Sequence, residues 1–142
     1  MNLVIDTEFD GFFGELISMA LVEVDGDREF YEVIYREEYK DPWVEKNVVP
    51  VLNKDGIGKA DFQLRLKEFL TQSPEPITIY ADWPDDIRHF CEWIITGPGY
   101  CINTPSITFH MEEIDYVSRI PHNALEDARA IKENWFKQIK KR

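Results

Sequence analysis

The chain has 142 residues and a mass of 16.8 kDa, with 44% hydrophobic and 13% aromatic residues, so a single folded domain (1–142) with a sizeable core is expected and a disordered tail is excluded. A formal net charge of −11 excludes broad electrostatic capture of nucleic acid, which needs Lys and Arg, but leaves open carboxylates that hold cations which then meet phosphates. No apolar run approaches the ~20 residues of a membrane span, the N-terminus lacks a secretory pattern, and two cysteines, Cys91 and Cys101, suit a reducing, cytoplasmic setting.

Residues 2–8 read as a first strand, with Leu3, Val4 and Ile5 apolar on both faces as in a central strand. The stretch "FDGFFG" at 9–14 is a connection, 16–24 a second strand, "DGD" at 25–27 a turn and 29–35 a third strand. These three form an antiparallel meander. Beyond Pro42, "WVEKNVVPVL" predicts a short helix interrupted by Pro50. Residues 60–72 carry Phe62, Leu66, Phe69 and Leu70 at helical spacing, and "SPEP" ends that helix. A short buried strand at 77–80 precedes a helix at 84–96, with Pro84 in its first turn and "GPG" at 97–99 stopping it. A last strand at 107–109 and a closing helix at 124–140 complete the pattern, and the basic end "KQIKKR" suits the negative pole of that helix. The fold class expected is α/β: an antiparallel meander of three strands plus parallel strands, flanked by helices.

Within the first strand stand two acids, Asp6 and Glu8. Two residues apart on a strand, they leave the same face as Val4, whereas Leu3, Ile5 and Thr7 point the other way. Like charges so placed repel unless a cation lies between them. Taken alone, the pair also fits a strand that has ended, with both acids in the loop. A second acidic group, "YADWPDDIRHF", marks a strand handing over to a helix. Asp82, Asp85 and Asp86 crowd a helix start, where the dipole favours negative charge and Asp82 suits an N-cap. Strand ends are also where ligand clefts open in α/β sheets.

The third group is "IPHNALEDARA". Asn123 is a good N-cap and Glu126, three residues on, can complete a capping box. His122 and Asp127 then occupy the two positions that meet in a hydrophobic staple, so local geometry brings imidazole and carboxylate together. Alone, this is also compatible with a surface His–Asp contact. Taken together, four carboxylates at strand ends and helix starts, with one histidine on a loop, suit oxygen-ligated Mg²⁺ or Mn²⁺ and a base for an attacking water.

In this order, Asp-x-Glu, then Asp, then His-x4-Asp, the chain resembles the DEDDh group of 3′→5′ exonucleases, whose fold is ribonuclease H-like. "DTEF" corresponds to the first motif, "ADWPDDIRHF" to the second, with Asp82 where many members carry Asn, and "HNALEDARA" to the third, which is the most specific. The chain looks most like the small stand-alone bacterial exoribonucleases first described in mycobacteria, with ribonuclease T and oligoribonuclease as more distant relatives. The resemblance implies hydrolysis of single-stranded RNA or RNA 3′ overhangs to nucleoside 5′-monophosphates. It implies that Asp6, Glu8, Asp86 and Asp127 bind two Mg²⁺ or Mn²⁺ ions and that His122 deprotonates the water. Asp85 is the alternative to Asp86.

Thr7, Asp82 and the phenylalanines Phe9, Phe12 and Phe13 are candidate substrate contacts, the rings as a platform for stacking a base, although core packing explains them equally. RNA preference and a homodimer are expectations of the resemblance. A DNA-directed exonuclease of the proofreading type and an inactive nucleic-acid-binding module are the alternatives. A zinc site from Cys91, Cys101, His89 or His110 matches no common spacing, and His89 beside Phe90 suits a structural role.

Overall fold

The structure, a computed structural model, describes residues 1–139. The predicted closing residue of the last helix, Lys140, and the end of the basic tail lie outside the described residues. Three strands, β1 (Asn2–Phe9), β2 (Leu16–Glu23) and β3 (Glu29–Ile34), form the expected antiparallel meander. After them come α1 (Pro42–Asn47), a 3-10 turn (Val49–Val51), β4 (Gly56–Ile57) and α2 (Lys59–Leu70). The second half runs through β5 (Ile77–Ala81), α3 (Pro84–Ile94), a small hairpin of β6 (Ile95–Gly97) and β7 (Tyr100–Cys101), β8 (Ile107–Met111) and α4 (Ala124–Ile139).

One six-stranded mixed sheet has the order β4-β3-β2-β1-β5-β8. β5 lies parallel to β1, β8 parallel to β5, and β4 parallel to β3. The central position of β1 explains its unbroken apolar run Leu3-Val4-Ile5, fully buried on both faces. On one face Leu3 and Ile5 pack with Phe62, Leu66 and Leu70 of α2 and Phe90 of α3. On the other, Val4, Ala20 and Val22 meet Ala124, Ala128, Ile131 and Trp135 of α4. Burying one such large apolar side chain is worth about 1.5–3 kcal/mol, so these two layers fix the sheet between its helices.

The sequence expectations differ from the structure at a few boundaries. The helix expected over 84–96 ends at Ile94, because residues 95–101 turn back as the β6–β7 hairpin. The two-residue β4 pairs with the end of β3 and carries too little pattern to be read. Among the described residues no helix is long and apolar enough to cross a membrane.

Asn123 determines where α4 begins. Its side-chain oxygen accepts the Glu126 backbone N–H at 3.0 Å, the first half of the expected capping box, while the Glu126 carboxylate pairs with Arg129 at 2.8 Å instead of returning to Asn123. The Asn123 amide N–H₂ donates to the Val51 carbonyl at 2.8 Å, which ties the helix start to the 3-10 turn. Asn123→Ala removes both bonds from a buried site and is expected to cost about 1–2 kcal/mol of stability. Urea unfolding followed by circular dichroism checks this, and an unchanged midpoint would contradict the role given to the cap.

Candidate metal centre

β1 and β5 pair only where Asn2, Leu3 and Val4 oppose Thr78, Ile79 and Tyr80. Past that point β1 stays bonded to β2, while β5 ends at Ala81 and the chain turns into α3. A crevice of about 290 Å³ therefore opens beyond the carboxyl ends of two parallel strands. It is lined by Asp6, Thr7, Glu8 and Phe9 of β1, by Asp82, Trp83 and Asp86 after β5, and by Tyr116, His122 and Asp127 around the start of α4.

The period of two along β1 sorts these side chains. Val4 is buried under α4, and the next residues on that face are Asp6 and Glu8, which meet Asp127 where the helix begins. Thr7 faces the other way, toward α3, and both its hydroxyl and its backbone N–H donate to Asp86 Oδ1, at 2.6 and 3.1 Å. Asp86 is only 2% exposed. These two bonds turn it toward the crevice, and the hydroxyl of Thr7, a candidate substrate contact, gives its proton to Asp86.

The carboxylates form two groups that share Asp6. In one, ligand oxygens of Asp6, Glu8 and Asp127 lie within 4.8 Å of one another, and in the other those of Asp6, Asp82 and Asp86 do so. Asp6 Oδ2, Asp86 Oδ2 and Asp127 Oδ1 are buried without a hydrogen-bond partner among the described residues. A buried carboxylate oxygen without a donor loses its hydration and gains nothing in exchange. Three such oxygens bordering one crevice fit a cation, and the all-oxygen donor set is of the kind hard divalent ions take. Cys91, Cys101, His89 and His110 form no metal-sized group among the described residues.

Burial makes all of these acids harder to ionise. Burial, reinforced by the charge of Asp127 and a hydrogen bond with it, pushes Glu8 up to about 9. Burial also raises Asp86 to about 8 against the pull of the Thr7 hydrogen bonds, and Asp82 to about 6. Asp6 is raised well above the carboxylate range by burial and by the charges of Asp86, Glu8 and Asp127. Burial raises Asp127 as well, against hydrogen bonds with Ser118 and Glu8 and, more weakly, the charge of His122.

His122 and Asp127 come together as the staple geometry predicts, both on the crevice wall. The His122 backbone has φ +73°, and its ring meets Trp43 of α1 edge-on, 5.0 Å between centroids. Of the second-motif acids, Asp85 turns away, accepting from Trp83 Nε1 at 3.0 Å and pairing with Arg88 at 3.1 Å, so Asp86 is the one in the cluster. Asp82 does not cap α3. Trp83 holds the cap position in an extended conformation with no side-chain cap bond, so Asp82 lies one residue too early and faces the acids instead.

Phe9 borders the crevice with its ring 5.1 Å from that of the buried His89. Phe12 and Phe13 are 92% and 70% exposed and do not line it. Tyr116 and Trp83 also line the crevice, though neither is marked as a site residue by the sequence. Tyr116 sits in a segment without periodicity, and its hydroxyl pKa is raised by burial and by Asp6, Asp127, Asp82 and Glu8 around it. The chain matches no protein-family model and no curated protein.

The sign of the pH dependence follows from these shifts. Folded-state values of about 6 to about 9 lie above the unfolded carboxylate range near ~4, so the folded form binds more protons. The contribution of these acids is complete below pH ~4 and is lost as pH rises through the folded values. Metal-free protein is thus expected to lose thermal stability between pH 5 and 9, and added Mn²⁺ to restore it most at the alkaline end. Melting curves with EDTA and with Mn²⁺ test this, and two flat, superimposed profiles would contradict a cation site.

Proposed function

We propose that the protein is a metal-dependent 3′→5′ exoribonuclease that removes nucleoside 5′-monophosphates from single-stranded RNA or RNA 3′ overhangs. The observation that carries this reading is the convergence at one crevice of Asp6, Glu8, Asp86, Asp127 and His122, the residues singled out by the three DEDDh-like motifs. The strand order β3-β2-β1-β5-β8, antiparallel then parallel, supports a ribonuclease H-like fold for the same chain.

Asp6, Glu8, Asp86 and Asp127 would hold two divalent ions, Mg²⁺ or Mn²⁺, which when bound supply charge neutralisation at the scissile phosphate and a water that ionises near neutral pH. His122, carried on the turn before α4 and steadied by Trp43, accepts the proton of the attacking water. The water oxygen bonds to phosphorus and the bond to the 3′ oxygen of the preceding nucleotide breaks. That oxygen takes a proton and becomes the new 3′-hydroxyl. Thr7 holds Asp86 in place, and Phe9 offers a ring face to a base.

The test is a time course of the purified chain on single-stranded, blunt and 3′-overhang RNA and DNA with Mn²⁺, Mg²⁺ or EDTA. Successive release of 5′-monophosphates from RNA, abolished by EDTA and by Asp6→Asn, is expected. His122→Ala should lower turnover by about 10²–10⁴-fold with metal binding kept. Faster cleavage of DNA would redirect the assignment to a DNA exonuclease. Binding without hydrolysis would leave a nucleic-acid-binding module.

A further inference from the structure

Trp83 stands apart from the other tryptophans. Trp135 is 1% exposed in the core under α4, Trp93 packs against Phe62, and Trp43 against His122. Trp83 is 57% exposed, belongs to no buried cluster and has no ring contact among the described residues, yet it borders the acidic crevice. Core packing therefore does not explain an apolar ring among carboxylates.

Its ring is nevertheless held. The indole Nε1–H donates to Asp85 Oδ2 at 3.0 Å, and Asp85 Oδ1 accepts from Arg88 Nε at 3.1 Å. Arg88 in turn bonds Glu92 at 3.3 Å and lies over the Phe13 ring, 5.7 Å from its centroid. On the backbone side Pro84 follows directly and α3 begins, so the residue sits at a fixed helix start. An exposed aromatic face held by its polar edge is preorganised for stacking and gives up little side-chain freedom when a flat partner arrives.

Resting on the exonuclease reading above, we propose that Trp83 is the stacking platform for a nucleobase of the strand whose phosphate lies at the acid cluster, and that Asp85 is the residue that positions it. Every base has a π-face, so the contact is tolerant of sequence. It also needs no basic groove, which suits a chain of net charge −11. Phe9 lines the same crevice, and the two rings would serve different bases.

The experiment measures kcat and KM with Mn²⁺ for wild type, Trp83→Ala, Trp83→Phe and Asp85→Ala, on single-stranded RNA oligomers. The substrates are intact or carry one abasic nucleotide at each of the last three positions in turn. Trp83→Ala is expected to raise KM by about tenfold or more with a smaller change in kcat, and Trp83→Phe to retain most of the binding. Asp85→Ala should show a smaller rise, and both penalties should vanish on the oligomer abasic at the stacked position. An unchanged KM in Trp83→Ala, or a penalty equally large on all the abasic oligomers, overturns this inference while leaving the exonuclease reading intact. Wild-type protein inactive on every oligomer overturns both.

Discussion

Carboxylates placed in the interior of a protein repel one another and forfeit their hydration, and only protons or cations relieve both costs. In this chain the acids gather around Asp6, which belongs to both metal-sized groups, and much of the surrounding architecture serves to bring the others to it. Glu8 comes from the same strand face. Asp86 comes from α3 on the opposite layer, held by the two Thr7 hydrogen bonds, and Asp127 comes from the first turns of α4. The parting of β1 from β5 provides the space into which all of them face.

The frame behind the crevice is built from polar contacts that are themselves satisfied. Asn123 links the start of α4 to the turn after α1 through the Val51 carbonyl. Asp10, just beyond β1, is buried and accepts the backbone N–H groups of Lys40 and Asp41 at 2.7 and 3.0 Å. Asp41 then caps α1 through the Trp43 N–H, and Trp43 packs on His122. The loop after the first acidic motif is thereby tied to the helix that steadies the histidine. The contrast with the cluster is instructive: Asp10 has its donors within the protein, whereas Asp6, Asp86 and Asp127 each retain an oxygen without one.

Much of this was legible in the sequence because it rests on short-range rules. The period of two places Asp6 and Glu8 together, the cap at Asn123 sets the phase of α4, and that phase brings His122 to Asp127. The three-strand meander follows from alternation and turn residues. Less legible were features that depend on tertiary pairing. The two-residue β4 has no pattern of its own, and residues 95 and 96 continue a helical stretch until the hairpin pairing draws them away. Asp82 resembles a helix cap in one dimension and becomes a fifth acid of the cluster only because Trp83 takes the cap position. Tyr116 reaches the crevice from an irregular segment, where neither period nor motif could mark it.

A two-metal nuclease requires that these acids gather divalent cations. The most direct measurement is anomalous diffraction at the manganese edge from crystals of the full chain grown with millimolar Mn²⁺. Manganese peaks are expected in the crevice bordered by Asp6, one beside Glu8 and Asp127 and one beside Asp86. A crevice without any anomalous peak, its carboxyl groups paired with one another through shared protons, would contradict the two-metal reading.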